Sequence, residues 1–265
     1  MSSATDAGRP LRLHLVRHGR TRYNEEGRIQ GWCDSELTET GLADTARTAA
    51  HLRDVPFVQA YCSPSGRTVT TTGLLLEHRP DTPRRVLEGL REFSYGVYEA
   101  GPEEHLYDRV GVVEMYSQVF EGTFPALPGG ESGAAFLARA ARTFLAVERA
   151  HAAGGDVLVV SHGVTLMAYL AMIHQIPERA LANASVSVVE VAGERRTVLA
   201  EAGFDPSPET EAQPTITLTG ARVALAHAAA WDLEREASDP RLVDQPGDVQ
   251  GQVGDLVVGE RHPEA

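Results

Sequence analysis

Three short segments of this chain carry residue types suited to handling a phosphoryl group. Arg17-His18-Gly19 and Ser161-His162-Gly163 each follow an apolar run, and Ser63-Pro64-Ser65-Gly66-Arg67 follows a third. A neutral imidazole is a competent nucleophile near pH 7, where serine or lysine needs activation. The arginine fork fits two phosphoryl oxygens at once. Glycine after each histidine lets backbone approach a ligand closely. A helix beginning after Gly163 also offers free N–H groups to an anion. Arg17, Arg67, His18 and His162 together form a cationic cup.

The elements that must position these residues alternate in type. Residues 11–16, 57–62 and 156–161 read as strands, with 84–87 a weaker one. Residues 38–53, 65–77, 132–153 and 164–173 read as helices, with Thr38 as an N-cap. Residues 185–191 and 196–201 read as a closing pair of strands. The alternation predicts α/β architecture with a largely parallel sheet. Ligands of such sheets bind at the carboxyl ends of the strands, where all three segments fall.

Composition narrows the chemistry. All 24 basic residues are arginine, against 37 acidic residues, for a net charge of −13 in 265 residues. Without lysine, a Walker-type loop, a kinase strand lysine and Schiff-base catalysis are excluded. The acidic balance argues against nucleic-acid partners. Cys33 and Cys62 form no Cys-x-x-Cys pair, which suits a reducing, cytoplasmic setting. The polar N-terminus lacks a signal peptide's apolar core, and no apolar run is long enough to span a membrane. Residues 205–265 hold 12 acidic residues, four arginines and six prolines. They read as an acidic extension, partly disordered, with a helix over 219–237. Residues 1–204 form the catalytic domain in this reading.

Residues 17–41 resemble the long signature of the histidine phosphatase superfamily, the phosphoglycerate mutase-like proteins. Arg17, His18, Gly19, Thr21, Asn24, Arg28, Gln30, Gly31, Asp34, Leu37, Thr38 and Gly41 match it. The match continues through Ser63-Pro64, Arg67, Glu92 ahead of Tyr95-Gly96, Gly129-Gly130-Glu131-Ser132 and Ser161-His162-Gly163. The resemblance implies a three-layer α/β/α sandwich and a phosphatase of the histidine acid phosphatase type. His18 would be the nucleophile, with Arg17, Arg67 and His162 holding phosphoryl oxygens. Glu92 would be the proton donor, with Glu88, Glu99, Glu103 and Glu104 as alternatives. Asn24, Gly31 and Gly163 would help bind the substrate. No cofactor or metal is required, because the cations supply the electrostatic stabilisation.

The family holds both phosphatases and cofactor-dependent mutases. In mutases the segment after the acid supplies a lysine and an arginine pair. Here residues 97–127 contain only Arg109 as a cation. That tilts the expectation toward a phosphomonoesterase acting on a small phosphate ester, such as a phosphosugar, phosphoalcohol or phosphoamino acid. A phosphoglycerate mutase-type activity is the alternative, and a catalytically idle binding protein a remote one. Oligomeric state is not encoded in any motif. His14, alternating with Leu13 and Leu15, is expected to be structural and Cys33 a passive thiol. Trp32 reads equally as a substrate border or as packing.

Overall fold

The computed structural model describes residues 9–175 and 180–206. The expected helix over 219–237, like most of the acidic extension, lies outside the described residues. Among the described residues six strands form one sheet: β1 (Leu11–Arg17), β2 (Phe57–Cys62), β3 (Arg84–Val86), β4 (Gly155–Ser161), β5 (Val186–Ala192) and β6 (Arg195–Val198), in the order β3-β2-β4-β1-β5-β6. The first four strands of that order run parallel. β5 and β6 are antiparallel, so the sheet is mixed. The two-residue turn at Gly193-Glu194, with Gly193 at φ +62°, is too short for a crossover and allows only a hairpin.

Among the described residues seven α-helices accompany the sheet: α1 (Arg22–Glu25), α2 (Glu39–His51), α3 (Gly66–Leu75), α4 (Glu103–Val110), α5 (Val112–Glu121), α6 (Gly133–Ala150) and α7 (Gly163–Met172). Thr38 caps α2 as expected, accepting from Gly41 N–H. Alternate residues of the central strands feed two cores. Leu13, Leu15, Val157 and Val159 pack with Phe144 and Val147 of α6 and Leu166 of α7. Val16, Leu158 and Val160 pack with Ala49 of α2 and Leu75 of α3. The result is three layers, helices on both faces of the sheet. β4 is buried along its whole length, which is why its sequence is continuously apolar from Val157 to Val160.

The helices α4 and α5 are the element that strand–helix alternation does not reveal. Beyond the start at Glu103, no element is read in residues 97–127 from the sequence. They fold over the carboxyl end of the sheet around a third core, where Phe93, Leu106, Met115, Val119 and Phe136 are fully buried. His14 proves structural: it is buried, and its Nε2 lies 2.9 Å from Asp156 Oδ1.

Candidate active site

Strand register brings the two histidines together. Arg17 of β1 pairs with Ser161 of β4, and Cys62 of β2 pairs with Val160. The next residue of each strand, His18, His162 and Ser63, therefore emerges at one place. The His18 and His162 rings lie 5.3 Å apart between centroids, edge to face. Both are buried.

Their hydrogen bonds assign their tautomers. His18 Nδ1 is 2.9 Å from the carbonyl of Gly19. A carbonyl only accepts, so Nδ1 carries the hydrogen and Nε2 keeps its lone pair. Burial, then the charges of Arg67 and Arg17, hold His18 well below the usual imidazole range. It is neutral at physiological pH. His162 Nδ1 receives an N–H from Arg67 at 2.9 Å, so its hydrogen sits on Nε2 and points to Ser63 Oγ at 2.8 Å. Burial and the Arg67 charge likewise keep His162 neutral.

Arg67, only 1% exposed, is held from several sides. Its Nη2 also donates to Gly31 O at 2.8 Å, and its Nη1 donates to Cys33 O at 2.8 Å and to Asp34 Oδ1 at 3.0 Å. Its Nε is a buried donor with no hydrogen-bond partner among the described residues. Arg17 donates to Leu181 O at 2.6 Å, and its guanidinium lies in van der Waals range of the position a Gly163 side chain would take. Asn24 is anchored through Oδ1 to Thr21 N–H and to Asn183 Nδ2. Asn183 also bonds the His18 carbonyl at 3.1 Å.

Glu92 and Glu99, both candidates by sequence, are separated by their surroundings. Glu99 accepts four backbone N–H groups, from Gly31, Trp32, Cys33 and Tyr95. Burial alone would raise its pKa, but the hydrogen bonds, with Cys33's first among them, hold it below the ordinary carboxylate value. It stays ionised and ties the signature loop to residues 95–99. Glu92 is buried, and burial outweighs its hydrogen bonds and raises its pKa. Its oxygens accept from Val164 N–H at 2.9 Å and from Phe93 and Thr165 N–H at 3.0 Å. The Thr165 hydroxyl lies 2.8 Å from Arg91 O and 3.0 Å from Glu92 Oε1. One hydroxyl hydrogen serves only one of them, so Thr165 can accept from a protonated Glu92 or donate to an ionised one. Glu88 is on the surface, paired with Arg91. Glu104 is exposed.

Two expectations are corrected here. The helix α7 does not offer all its N-terminal amides to an anion: Glu92 takes those of Val164 and Thr165, because a buried carboxylate needs donors and the helix start supplies them. Only the Gly163 amide of that turn is left to a ligand. Gly31 does not line the cleft. Its backbone holds Arg67 and Glu99, and a Cβ there would lie 2.2 Å from Phe93 O.

A cavity of about 380 Å³ opens beside His18. Arg17, His18, Asn24, Glu92 and Gly163 line it; Arg67 and His162 lie buried behind them. The cap helices contribute Glu103, Tyr107, Val112, Val113, Tyr116 and Phe120. Arg109 is exposed on α4 and is not part of the wall. Trp32 is 48% exposed, donates to Glu92 O at 3.0 Å and stacks under Arg91. Burial, helped by Glu99, pushes the Cys33 thiol up to about 12, so it is inert. Among the described residues no group of three or more His, Cys, Asp or Glu could hold a metal ion, and no helix is long and apolar enough to cross a membrane.

Sequence reasoning missed Asn183, Glu99 and Arg139 as positioning residues. Arg139 donates to the carbonyls of Gly89, Arg91 and Glu92 and pairs with Glu131, which itself accepts from Ser94 N–H. Glu131 was visible in the Gly-Gly-Glu-Ser match. Arg139 carried no motif and is fixed by tertiary contacts alone.

The fold and site are those of an α/β enzyme built around a buried pair of neutral histidines. The model of the histidine phosphatase superfamily (branch 1) matches residues 13–202, and the chain belongs to that family. It is similar to the 2,3-bisphosphoglycerate-dependent phosphoglycerate mutase 2 of Gloeobacter violaceus, 34% identical over 63% of this chain and 78% of that protein. It is also similar to the adenosylcobalamin/alpha-ribazole phosphatase of Salmonella typhimurium, 32% identical over 64% of this chain and 83% of that one. Among solved structures it resembles Bacillus stearothermophilus YhfR, with a TM-score of 0.65 and 30% identity over 74% of this chain and 98% of that chain. Relatives thus include both phosphatases and mutases.

Proposed function

We propose that this enzyme is a phosphomonoesterase that hydrolyses a small phosphate ester through a phosphohistidine. His18 Nε2 attacks phosphorus as the ester P–O bond breaks. Arg17, Asn24 and the Gly163 amide hold the phosphoryl oxygens, while Arg67, with His162 bonded to it just behind the wall, adds its charge to that of Arg17 in offsetting charge on the group in transfer. Glu92, protonated, gives its hydrogen to the leaving alkoxide. Water then attacks the phosphohistidine and passes a proton back to Glu92. Inorganic phosphate leaves, and His18 is again neutral. The scheme needs no metal ion, since the guanidinium groups do the neutralising. The free thiols Cys33 and Cys62 suit a cytoplasmic setting.

The observation that carries the phosphatase reading is the cap side of the cavity. Residues 97–127 present tyrosine, phenylalanine, valine and Glu103 to it and no cation, with Arg109 pointed elsewhere. A second carboxylate or phosphate on the substrate would find no partner there. The mutase reading draws on the Gloeobacter relative. Inorganic phosphate release from a panel of esters, run beside 3-phosphoglycerate isomerisation primed with 2,3-bisphosphoglycerate, separates the two. Mutase turnover exceeding phosphate release overturns the phosphatase reading. Labelled phosphate trapped on the wild type but not on His18→Ala excludes an idle binding protein.

A further inference from the structure

Glu103 is the one charged group on the cavity wall, among the described residues, that the proposed chemistry leaves unused and that no hydrogen bond or ion pair satisfies. Glu92, the other acid on that wall, has both oxygens bonded. The cations there have partners of their own, although the Arg17 charge also reaches Glu103 from beyond ion-pair distance. Arg17 donates to Leu181 O, and Arg28 donates to Ala100 O at 2.6 Å and pairs with Glu26. Glu103 is the first residue of α4, and its backbone N–H is fixed by Gly27 O at 2.9 Å. The side chain is thus brought to the wall by the signature loop and is not held for its own sake.

Its neighbours extend the pattern. Tyr107 follows one helical turn later on the same face. Its hydroxyl lies 3.0 Å from that of Tyr116, which lies 2.8 Å from that of Tyr95. All three line the cavity. Three hydroxyls carry three hydrogens, and the two mutual contacts use two. Burial raises all three pKa values, so the cluster is neutral and keeps lone pairs to offer. A carboxylate beside neutral phenol oxygens and aromatic faces is a receptor for an ammonium group, which has only donors to give and is drawn to ring faces.

Building on the phosphatase reading, we propose that the substrate is the phosphate monoester of an amino alcohol, its ammonium group received by Glu103 and the Tyr107–Tyr116 pair while its phosphoryl group sits at His18. Burial raises the Glu103 pKa and the Arg17 charge only partly offsets that, so a ligand without a cation leaves the carboxylate poorly compensated. Esters with an added carboxylate meet it as a like charge.

The test compares binding of O-phosphoethanolamine with that of propyl phosphate, a near isostere lacking the charge, by calorimetry on the full chain carrying His18→Ala, which holds either ester without turnover. The amine ester is expected to bind about tenfold more tightly, the value of one charge-assisted hydrogen bond. Adding Glu103→Gln should bring the two affinities within about twofold; its side chain makes no bond in the fold, so folding is retained. Equal affinities before the substitution, or a preference that survives it, overturns the inference. Because the readout is binding, the phosphatase reading fails separately: an amine preference removed by Glu103→Gln, with no phosphate released by the wild type, supports the Glu103 receptor and sinks the hydrolysis.

Discussion

Nη2 of Arg67 stands 2.9 Å from Nδ1 of His162. A guanidinium can only donate, so His162 must accept, and a proton added at Nδ1 would set donor against donor. His18, its ring centroid 5.3 Å away, is kept neutral by burial and by the same arginine. Both histidines therefore have folded pKa values below 6.5. Below pH 6.5 the unfolded chain binds protons that the folded chain refuses, so stability falls as pH falls. The slope is up to roughly 1.4 kcal/mol per pH unit for each histidine. Melting temperatures measured from pH 8 to pH 5 should hold level and then drop below about pH 6.5, less steeply for His162→Gln. A flat profile contradicts the neutral pair.

Replacing Arg67 by glutamine removes the charge and the fork while keeping some polarity. Phosphate release should fall by about 10²- to 10³-fold, the scale for loss of one preorganised electrostatic group. Ser63→Ala, which removes only the acceptor behind His162, should cost less than about tenfold. Initial rates on one ester, with circular dichroism to confirm folding, check both. A larger effect at Ser63 than at Arg67 would reverse the roles given to them.

Glu92 and Glu99 should separate cleanly. With Glu92 raised and His18 lowered, kcat/KM needs pH above the His18 pKa and below that of Glu92. Glu92→Gln should lose the alkaline limb of the profile and slow alkyl phosphate hydrolysis by about 10²- to 10⁴-fold. A nitrophenyl ester, whose leaving group needs no proton, should lose less at the burst step. Glu99→Gln should instead lower the melting temperature, because four backbone donors lose a charged acceptor. If Glu92→Gln leaves the alkaline limb in place, the proton comes from another group.

At Gly31 the expected result concerns packing. A methyl group would press on Phe93 O and Glu99 at 2.2 and 2.5 Å. Gly31→Ala should destabilise the protein by about 1–3 kcal/mol and reduce activity through Arg67, whose Nη2 leans on the Gly31 carbonyl. Denaturant titration measures the first effect. Unchanged stability would mean the loop has room it does not display.

The sequence by itself determined which residues could meet. Apolar runs ending in Arg-His-Gly and Ser-His-Gly, with Arg67 heading a helix, are local patterns, and strand ends in an α/β sheet face one crevice. Thr38 as an N-cap and the buried run at β4 were equally local. The antiparallel β5–β6 edge depended on pairing, which no single strand encodes. The helices α4 and α5 depended on a core shared with Phe93 and Phe136, so their period is diluted by cavity-facing residues. Among the carboxylates, sequence could favour Glu92 but not exclude Glu99, three residues past Gly96. Only the tertiary structure turned four amides toward Glu99 and buried Glu92 against α7. Their ionisation is set by desolvation and by donors from distant segments, quantities that exist only once the chain has folded.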